Sequence, residues 1–173
     1  MVVIDLSVSI YSGMKVYPGD PEVSVDVAHT YKDKGWQLRK ITMGSHTGTH
    51  VDAFSHMDEK GKKLDEIPLD CFFGESYIAN AEEPFPVKSG LFFLSKVGLE
   101  SFEQIIRVCP LFVGGEIDQS LEKALLCAGI ITYTNLINLD LLPTDRSFMF
   151  YGFPLKIRDG DGSPVRAVAV IGI

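Results

Sequence analysis

Short runs in which apolar and polar residues alternate, or in which apolar residues are continuous, recur along the chain. Such runs predict β-strands when they are four to eight residues long and bounded by turn residues. They lie at residues 2–6, 23–27, 36–43, 76–79, 91–94, 111–113 and 130–133. The β-branched, apolar run at 165–173 predicts a further strand in the centre of a sheet.

Two segments carry apolar residues at helical spacing instead. Residues 99–108 and residues 120–128 predict helices, and Gly129 is typical of a residue that ends one. Residues 17–21 and 158–164 are rich in Gly, Pro and Asp and predict turns. Strands therefore outnumber helices without a regular strand–helix alternation, which indicates an α+β pattern within the α/β class.

Composition narrows the class of protein. The 173 residues fit one domain spanning 1–173, with 46% hydrophobic residues and no linker-like break. The net charge of −7 argues against nucleic acid as a partner. No apolar run approaches the roughly 18 residues that a membrane span needs, and no N-terminal signal precedes the first strand. Three unpaired cysteines without metal spacing favour the reducing cytoplasm.

The candidate chemistry lies in one short segment. Three of the four histidines fall within eleven residues, and His46, His50, Asp52 and His56 all occupy even positions. In an extended strand these side chains would share one face. A helix would turn Asp52 and His56 away from the other two, and the β-branched residues between them also disfavour a helix.

The spacing further requires a bend. A straight strand would separate the α-carbons of His46 and His50 by about 13 Å. Two imidazoles bound at about 2.0–2.1 Å from one zinc ion would then barely reach it. Gly48 lies between them and permits a change of direction. We therefore expect a loop or kinked strand that brings His50 and Asp52 back toward His46.

Two imidazoles and a carboxylate, with positions left open for water and substrate, suit a zinc, manganese or iron ion, with zinc or manganese favoured. A bound metal would acidify water and polarise a carbonyl group, and His56 is placed to act as the catalytic base or acid. The alternative is a histidine-rich turn that packs without metal.

The segment His46-Thr-Gly-Thr-His50-Val-Asp52-Ala-x-x-His56 resembles the signature of the cyclase-like metal-dependent hydrolase family, which includes bacterial kynurenine formamidase and isatin hydrolase. The openings at 4–7 and 17–21, the run at 64–69 and the closing motif at 153–167 are also similar to the family's. The resemblance implies a swivelling β/β/α-type domain with a mixed barrel-like sheet and flanking helices. It implies a homodimer or homotetramer, with His46, His50 and Asp52 as metal ligands and His56 as the catalytic residue.

The chain departs from the family pattern where two-metal members bind their second ion. Thr134 stands where those members carry a Glu, and Glu122 stands where they carry a His. No histidine follows His56. We therefore expect one metal ion, with Glu122 as a weak second-site residue at most.

The expected function is hydrolysis of an amide, formamide or lactam-like bond in a small cyclic or aromatic substrate. It is an arylformamidase-like reaction on a C–N bond other than a peptide bond. Tyr17 and Phe54 are candidate residues of the substrate pocket. The alternative is a catalytically degenerate family member that binds a metal or a ligand, because the second-metal Glu and His are missing.

Overall fold

The computed structural model describes residues 1–172, and a mixed β-sheet dominates it. The strands are β1 (Val2–Asp5), β2 (Ser24–His29), β3 (Leu38–Thr42), β4 (His50–Asp52), β5 (Phe73–Ala79), β6 (Gly90–Val97), β7 (Phe112–Ile117), β8 (Ile131–Thr134), β9 (Phe148–Tyr151), β10 (Gly162–Pro164) and β11 (Val168–Ile171). The α-helices are α1 (Tyr31–Lys34), α2 (Phe102–Arg107) and α3 (Gln119–Cys127). Short 3₁₀ helices cover Phe54–His56, Leu64–Glu66, Leu69–Phe72, Leu99–Ser101 and Leu139–Leu141.

Nine strands form one sheet in the order β1-β11-β9-β5-β6-β7-β8-β4-β10. The pairs β5–β6, β6–β7 and β7–β8 are parallel, and the other neighbours are antiparallel. The remaining strands, β2 and β3, pair only with each other among the described residues. The predicted α/β class, with a large mixed sheet and few helices, is confirmed.

The parallel strands are buried on both faces, as parallel strands covered by other layers usually are. Along β6, Phe92 packs into one core cluster, whereas Leu91 and Phe93 pack into a second cluster with α2 and α3. The same alternation separates Phe112 from Val113 on β7. The period-two pattern of these strands therefore divides the core between the two faces of the sheet.

Three expectations need correction. The last strand, β11, lies between β1 and β9, one position from the sheet edge, and Ile173 lies outside the described residues. The β-branched, apolar residues of β11 suit a strand with a neighbour on each side. Sequence pattern alone does not distinguish such a position from the centre of the sheet. The predicted turn at 158–164 contains β10, and β9 and α1 were not predicted.

No helix among residues 1–172 is long and apolar enough to span a membrane.

Candidate metal centre

The central strand of the site, β4, lies between β8 and β10. Its first and third residues, His50 and Asp52, are buried and point to the same face, because side chains two positions apart on a strand share a face. In the antiparallel register with β8, His50 is opposite Thr134 and Asp52 is opposite Thr132. The pairing of β4 with β8 therefore places two threonine hydroxyls beside the acidic group.

The predicted bend before β4 is present. Residues 45–46 form a turn, and Gly48 has a φ of +65°, a left-handed conformation that favours glycine. The imidazole rings of His46 and His50 consequently lie 5.2 Å apart, centroid to centroid, in an edge-to-face arrangement. The backbone reversal thus brings together two histidines that an extended strand would keep apart.

One hydrogen bond fixes the tautomer of His50. Its Nδ1 lies 2.7 Å from the carbonyl oxygen of Gly48, which also accepts from the side-chain amide of Asn135 at 3.1 Å. A carbonyl oxygen only accepts, so Nδ1 carries the hydrogen and Nε2 is left with its lone pair. This Nε2 lies 3.5 Å from Asp52 Oδ1. Burial is the largest effect on the pKa of His50 and lowers it, which favours the neutral, metal-binding form.

Asp52 is the most heavily bonded group in the site. Its Oδ1 lies 2.7 Å from His46 Nδ1, and its Oδ2 accepts hydrogen bonds from the hydroxyls of Thr132 and Thr134, each at 3.0 Å. Burial alone would raise the pKa of Asp52, but the hydrogen bond with His46 and the other favourable contacts outweigh it and lower the pKa. Asp52 is therefore a buried carboxylate that remains charged.

His46 lies between two carboxylates. Its Nε2 is 2.9 Å from Asp161 Oδ2, opposite the Nδ1 that faces Asp52. Burial lowers the pKa of His46, but the hydrogen bonds to Asp52 and Asp161 outweigh it and raise the pKa to about 9. In the metal-free protein His46 is accordingly an imidazolium that donates to both acids at neutral pH.

His56 follows β4 on the 3₁₀ helix Phe54–His56. Its ring lies against the ring of His46 with a centroid distance of 3.9 Å and an interplanar angle of 35°. Its Nδ1 lies 3.7 Å from Asp161 Oδ2. The structure thus brings all four predicted residues, His46, His50, Asp52 and His56, into one cluster.

The donor set fits a divalent metal ion. Donor atoms of His46, Asp52 and His56 all lie within 4.8 Å of one another, and His50 adjoins this group through Asp52. Ligands at about 2.0–2.1 Å from one ion in a tetrahedral arrangement lie about 3.3 Å from each other. The distances from Asp52 Oδ1 to His46 Nδ1, 2.7 Å, and to His50 Nε2, 3.5 Å, bracket that separation. The assignment of His50 as a ligand and of His56 as the catalytic residue stays a prediction.

Glu122 also reaches the cluster. It lies in the first turn of α3, whose N-terminus is capped by the Asp118 side chain, and its Oε1 is 3.4 Å from the hydroxyl of Thr134. Burial and then the neighbouring charge of Asp52 raise the pKa of Glu122 to about 7. Thr134 and Glu122, the two residues at the predicted second-site positions, are therefore in contact with each other and with Asp52.

The cluster opens into a cavity of about 1040 Å³. Its wall includes Tyr17 together with the apolar or aromatic side chains Val8, Tyr11, Met14, Val16, Pro18, Met57 and Ile117. Tyr17 is 68% exposed, so a substrate contact needs no rearrangement of the core. Phe54, by contrast, packs against the core cluster and is not part of the cavity wall, which corrects its assignment as a pocket residue.

Sequence reasoning missed three residues of the site. Asp161 was assigned to a turn and to the closing motif at 153–167, without a role in the site. Thr132 is visible only through the register of β8 with β4. Asn135 supports the bend, because its backbone carbonyl accepts from Thr49 Oγ1 at 2.6 Å and its side chain donates to Gly48. Each of these contacts joins residues 80 or more positions apart.

Comparison with known proteins supports the family resemblance that the sequence motifs indicate. The Cyclase family model matches residues 4–108, which include the whole histidine cluster. The kynurenine formamidase of Salinibacter ruber is 28% identical, and the match covers 97% of each chain. Isatin hydrolase A from Labrenzia aggregata has the same fold, with a TM-score of 0.80 at 22% identity over 98% of this chain and 93% of the other. A structure described as a potential metal-dependent hydrolase with cyclase activity gives a TM-score of 0.78 at 24% identity, over 97% and 96% of the two chains. Because the family model covers more than half of the sequence, this chain belongs to the Cyclase family.

Proposed function

We propose that the chain is a metal-dependent hydrolase that cleaves the C–N bond of an amide, formamide or lactam-like group in a small aromatic or cyclic substrate. The observation that carries this proposal is the convergence of His46, His50, Asp52 and His56 at one side of a cavity with aromatic and apolar walls. The named relatives, a kynurenine formamidase and an isatin hydrolase, act on substrates of this chemical class.

The chemistry divides between the ion and the chain. A single divalent ion, zinc or manganese, held by His46, His50 and Asp52 would acidify a water molecule and polarise the substrate carbonyl. His56 accepts the proton of the water as its oxygen bonds to the carbonyl carbon. His56 then returns that proton to the nitrogen as the C–N bond breaks, which leaves an amine and a carboxylic acid. Tyr17 stacks on the aromatic part of the substrate at the cavity wall.

The proposal includes one metal ion rather than two. Thr134 and Glu122 occupy the second-site positions, and a threonine hydroxyl is a poor metal ligand. In the metal-free protein burial and the charge of Asp52 raise the pKa of Glu122 to about 7, so a proton competes with a metal for this carboxylate near neutral pH. Glu122 is therefore at most a weak second-site residue. A catalytically degenerate binding protein is the less favoured alternative, because the primary cluster is complete.

Metal analysis and turnover test the function. We expect about one equivalent of zinc or manganese per chain, and turnover of N-formylated arylamines or isatin-type lactams that a chelator abolishes and the metal restores. His56→Ala should lower kcat by about 100-fold or more, since general acid–base catalysis contributes that much. Lys60→Ala, an exposed residue in the following turn, is the control. Bound metal without turnover of any amide in the panel would favour the binding-protein alternative.

We also propose a homodimer or homotetramer that forms through the β2–β3 hairpin. A two-stranded hairpin is only marginally stable by itself, and this one exposes apolar side chains on both faces, Val27 and Ile41 on one face and Leu38 on the other. A second copy of the same hairpin would bury the same face by symmetry. We expect Ile41→Glu to shift the mass in light scattering to that of a monomer, with Val87→Glu, an exposed apolar residue elsewhere, as the control. A monomeric unmodified protein at micromolar concentration would refute the proposal.

A cytoplasmic location is the last part of the proposal. All three cysteines, Cys71, Cys109 and Cys127, are free, as is usual in a reducing compartment. Cell fractionation tests it, and recovery of the protein outside the cytoplasmic fraction would contradict it.

A further inference from the structure

Asp161 connects three parts of the site from a segment far away in the sequence. Its Oδ2 lies 2.9 Å from His46 Nε2 and 3.7 Å from His56 Nδ1, and its Oδ1 accepts a hydrogen bond from the Ser45 hydroxyl at 2.9 Å. Its backbone carbonyl accepts from Ala53 N at 2.9 Å. One residue therefore contacts the turn before β4 and the 3₁₀ helix that follows it.

The two nitrogens of His46 have different surroundings. Nδ1 faces Asp52 Oδ1, which also lies 3.5 Å from His50 Nε2, whereas Nε2 faces Asp161 Oδ2. A carboxylate accepts but does not donate, so the contact with Asp161 holds a hydrogen on Nε2. In the metal-free protein Nδ1 likewise donates to Asp52, and once it loses that proton Nδ1 is the nitrogen that would bind a metal held by Asp52 and His50. Metal-binding histidines commonly donate their other N–H to a carboxylate in this way.

Gly162, the residue after Asp161, permits the close approach of this segment to His46. A β-carbon at Gly162 would lie 2.5 Å from His46 Cε1 and 2.9 Å from its Nδ1. Only glycine lets this strand approach the imidazole so closely. Asp161 and Gly162 therefore both lie against the edge of the His46 ring.

We propose that Asp161 is a positioning residue that holds His46 with Nε2–H on its own carboxylate and Nδ1 toward the metal, and that orients His56 from the same oxygen. The inference concerns the metal centre of the proposed hydrolase and rests on that function only for the identity of the ligand. Asp161 itself is not a ligand in this arrangement, because its Oδ2 already accepts the hydrogen bond from His46 Nε2.

Variants at position 161 test the proposal with a matched control. Asp161→Ala removes the carboxylate, Asp161→Asn keeps an oxygen that accepts from Nε2–H, and Asp159→Asn removes the same charge two residues away. Asp159 is exposed, and its carboxylate contacts only Arg158 among the ion pairs of the described residues. Loss of such a partner lowers metal affinity by about 10- to 100-fold. The Asp161 side chain is 47% exposed, so we expect the lower end, about tenfold, for Asp161→Ala in zinc competition with a chelator.

A second measurement separates positioning from a general effect on folding and needs no metal. In ¹⁵N NMR spectra of the metal-free protein, the Nε2–H of His46 should exchange slowly with water in the unmodified protein and in Asp159→Asn. It should exchange fast in Asp161→Ala and at an intermediate rate in Asp161→Asn. Should Asp161→Ala not fold, Asp161→Asn against Asp159→Asn carries the comparison.

The proposal is overturned if the variants at 161 match Asp159→Asn in both zinc affinity and Nε2–H exchange. Failure of the proposed function gives a different result, namely no turnover of any amide or no metal bound. The exchange of the His46 Nε2–H still reports on Asp161 in either of those cases.

Discussion

Metal binding should displace a proton from His46, and the effect is large enough to measure. Asp52 and Asp161 raise the pKa of His46 to about 9 in the metal-free protein, and the other titratable groups that face it are His50, His56 and Glu122. A metal on Nδ1 requires that nitrogen to lose its proton. Since pH 7 is about two units below this pKa, removing the proton from His46 at pH 7 costs about 2.7 kcal/mol, at 1.36 kcal/mol per unit. Zinc affinity at pH 7 should therefore be about 100-fold weaker than above pH 9.

The assay is chelator competition between pH 6.5 and 9, together with calorimetry in buffers of different ionisation enthalpy. We expect the apparent Kd to fall about tenfold per pH unit from pH 7 to 9, with roughly one proton released per metal at pH 7.5. Glu122→Gln removes the second titrating group, whose pKa is about 7. This change should leave the slope of the apparent Kd against pH unchanged above pH 8. An affinity that is flat from pH 7 to 9, with heats that do not depend on the buffer, would refute the account of His46 as a doubly hydrogen-bonded imidazolium.

Three further predictions follow from contacts of the same site. Gly162→Ala should lower the metal content at least tenfold on inductively coupled plasma analysis, because its β-carbon would overlap the His46 ring; unchanged content would contradict the close approach. Thr134→Val should lower Tm by roughly 4–8 °C in thermal unfolding, since a charged hydrogen bond to Asp52 contributes about 2 kcal/mol; an unchanged Tm would mean that Thr132 alone suffices. The metal-free protein should lose stability from pH 6.5 to 9 in denaturant titrations, a range above the one in which the lowered pKa of His50 acts in the opposite direction, and constant stability there would contradict the raised pKa of His46.

The sign of the last prediction comes from linkage. The folded pKa of His46 is raised from 6.5 to about 9, so its contribution is fully present below pH 6.5 and is lost as the pH rises through 9. The pKa of Glu122 is raised from 4.5 to about 7, so folding favours its neutral form, and ionisation above pH 4.5 destabilises the folded state until about pH 7. Both groups therefore act in the same direction.

The histidine cluster was predictable because its information is local. The even spacing of His46, His50, Asp52 and His56 indicates a shared face, and the reach of an imidazole requires the bend that Gly48 provides. Strand segments such as β1 and β8 were predictable for the same reason, since alternation over a few residues reflects which face is buried.

The surroundings of the cluster were decided by tertiary structure. Thr132 and Thr134 reach Asp52 only because β8 pairs with β4 in one register, and a shift of one residue would turn both hydroxyls to the other face. The same dependence explains why the position of β11 next to the sheet edge was not predicted.

Asp161 shows the limit most clearly. Its residue type and its turn were visible in the sequence, but its contact with His46 joins positions 115 residues apart. The sequence by itself determined which groups can bind a metal and that the chain must bend to gather them. Strand order and register decided which carboxylate holds each imidazole, because these long-range pairings leave no periodic pattern along the chain.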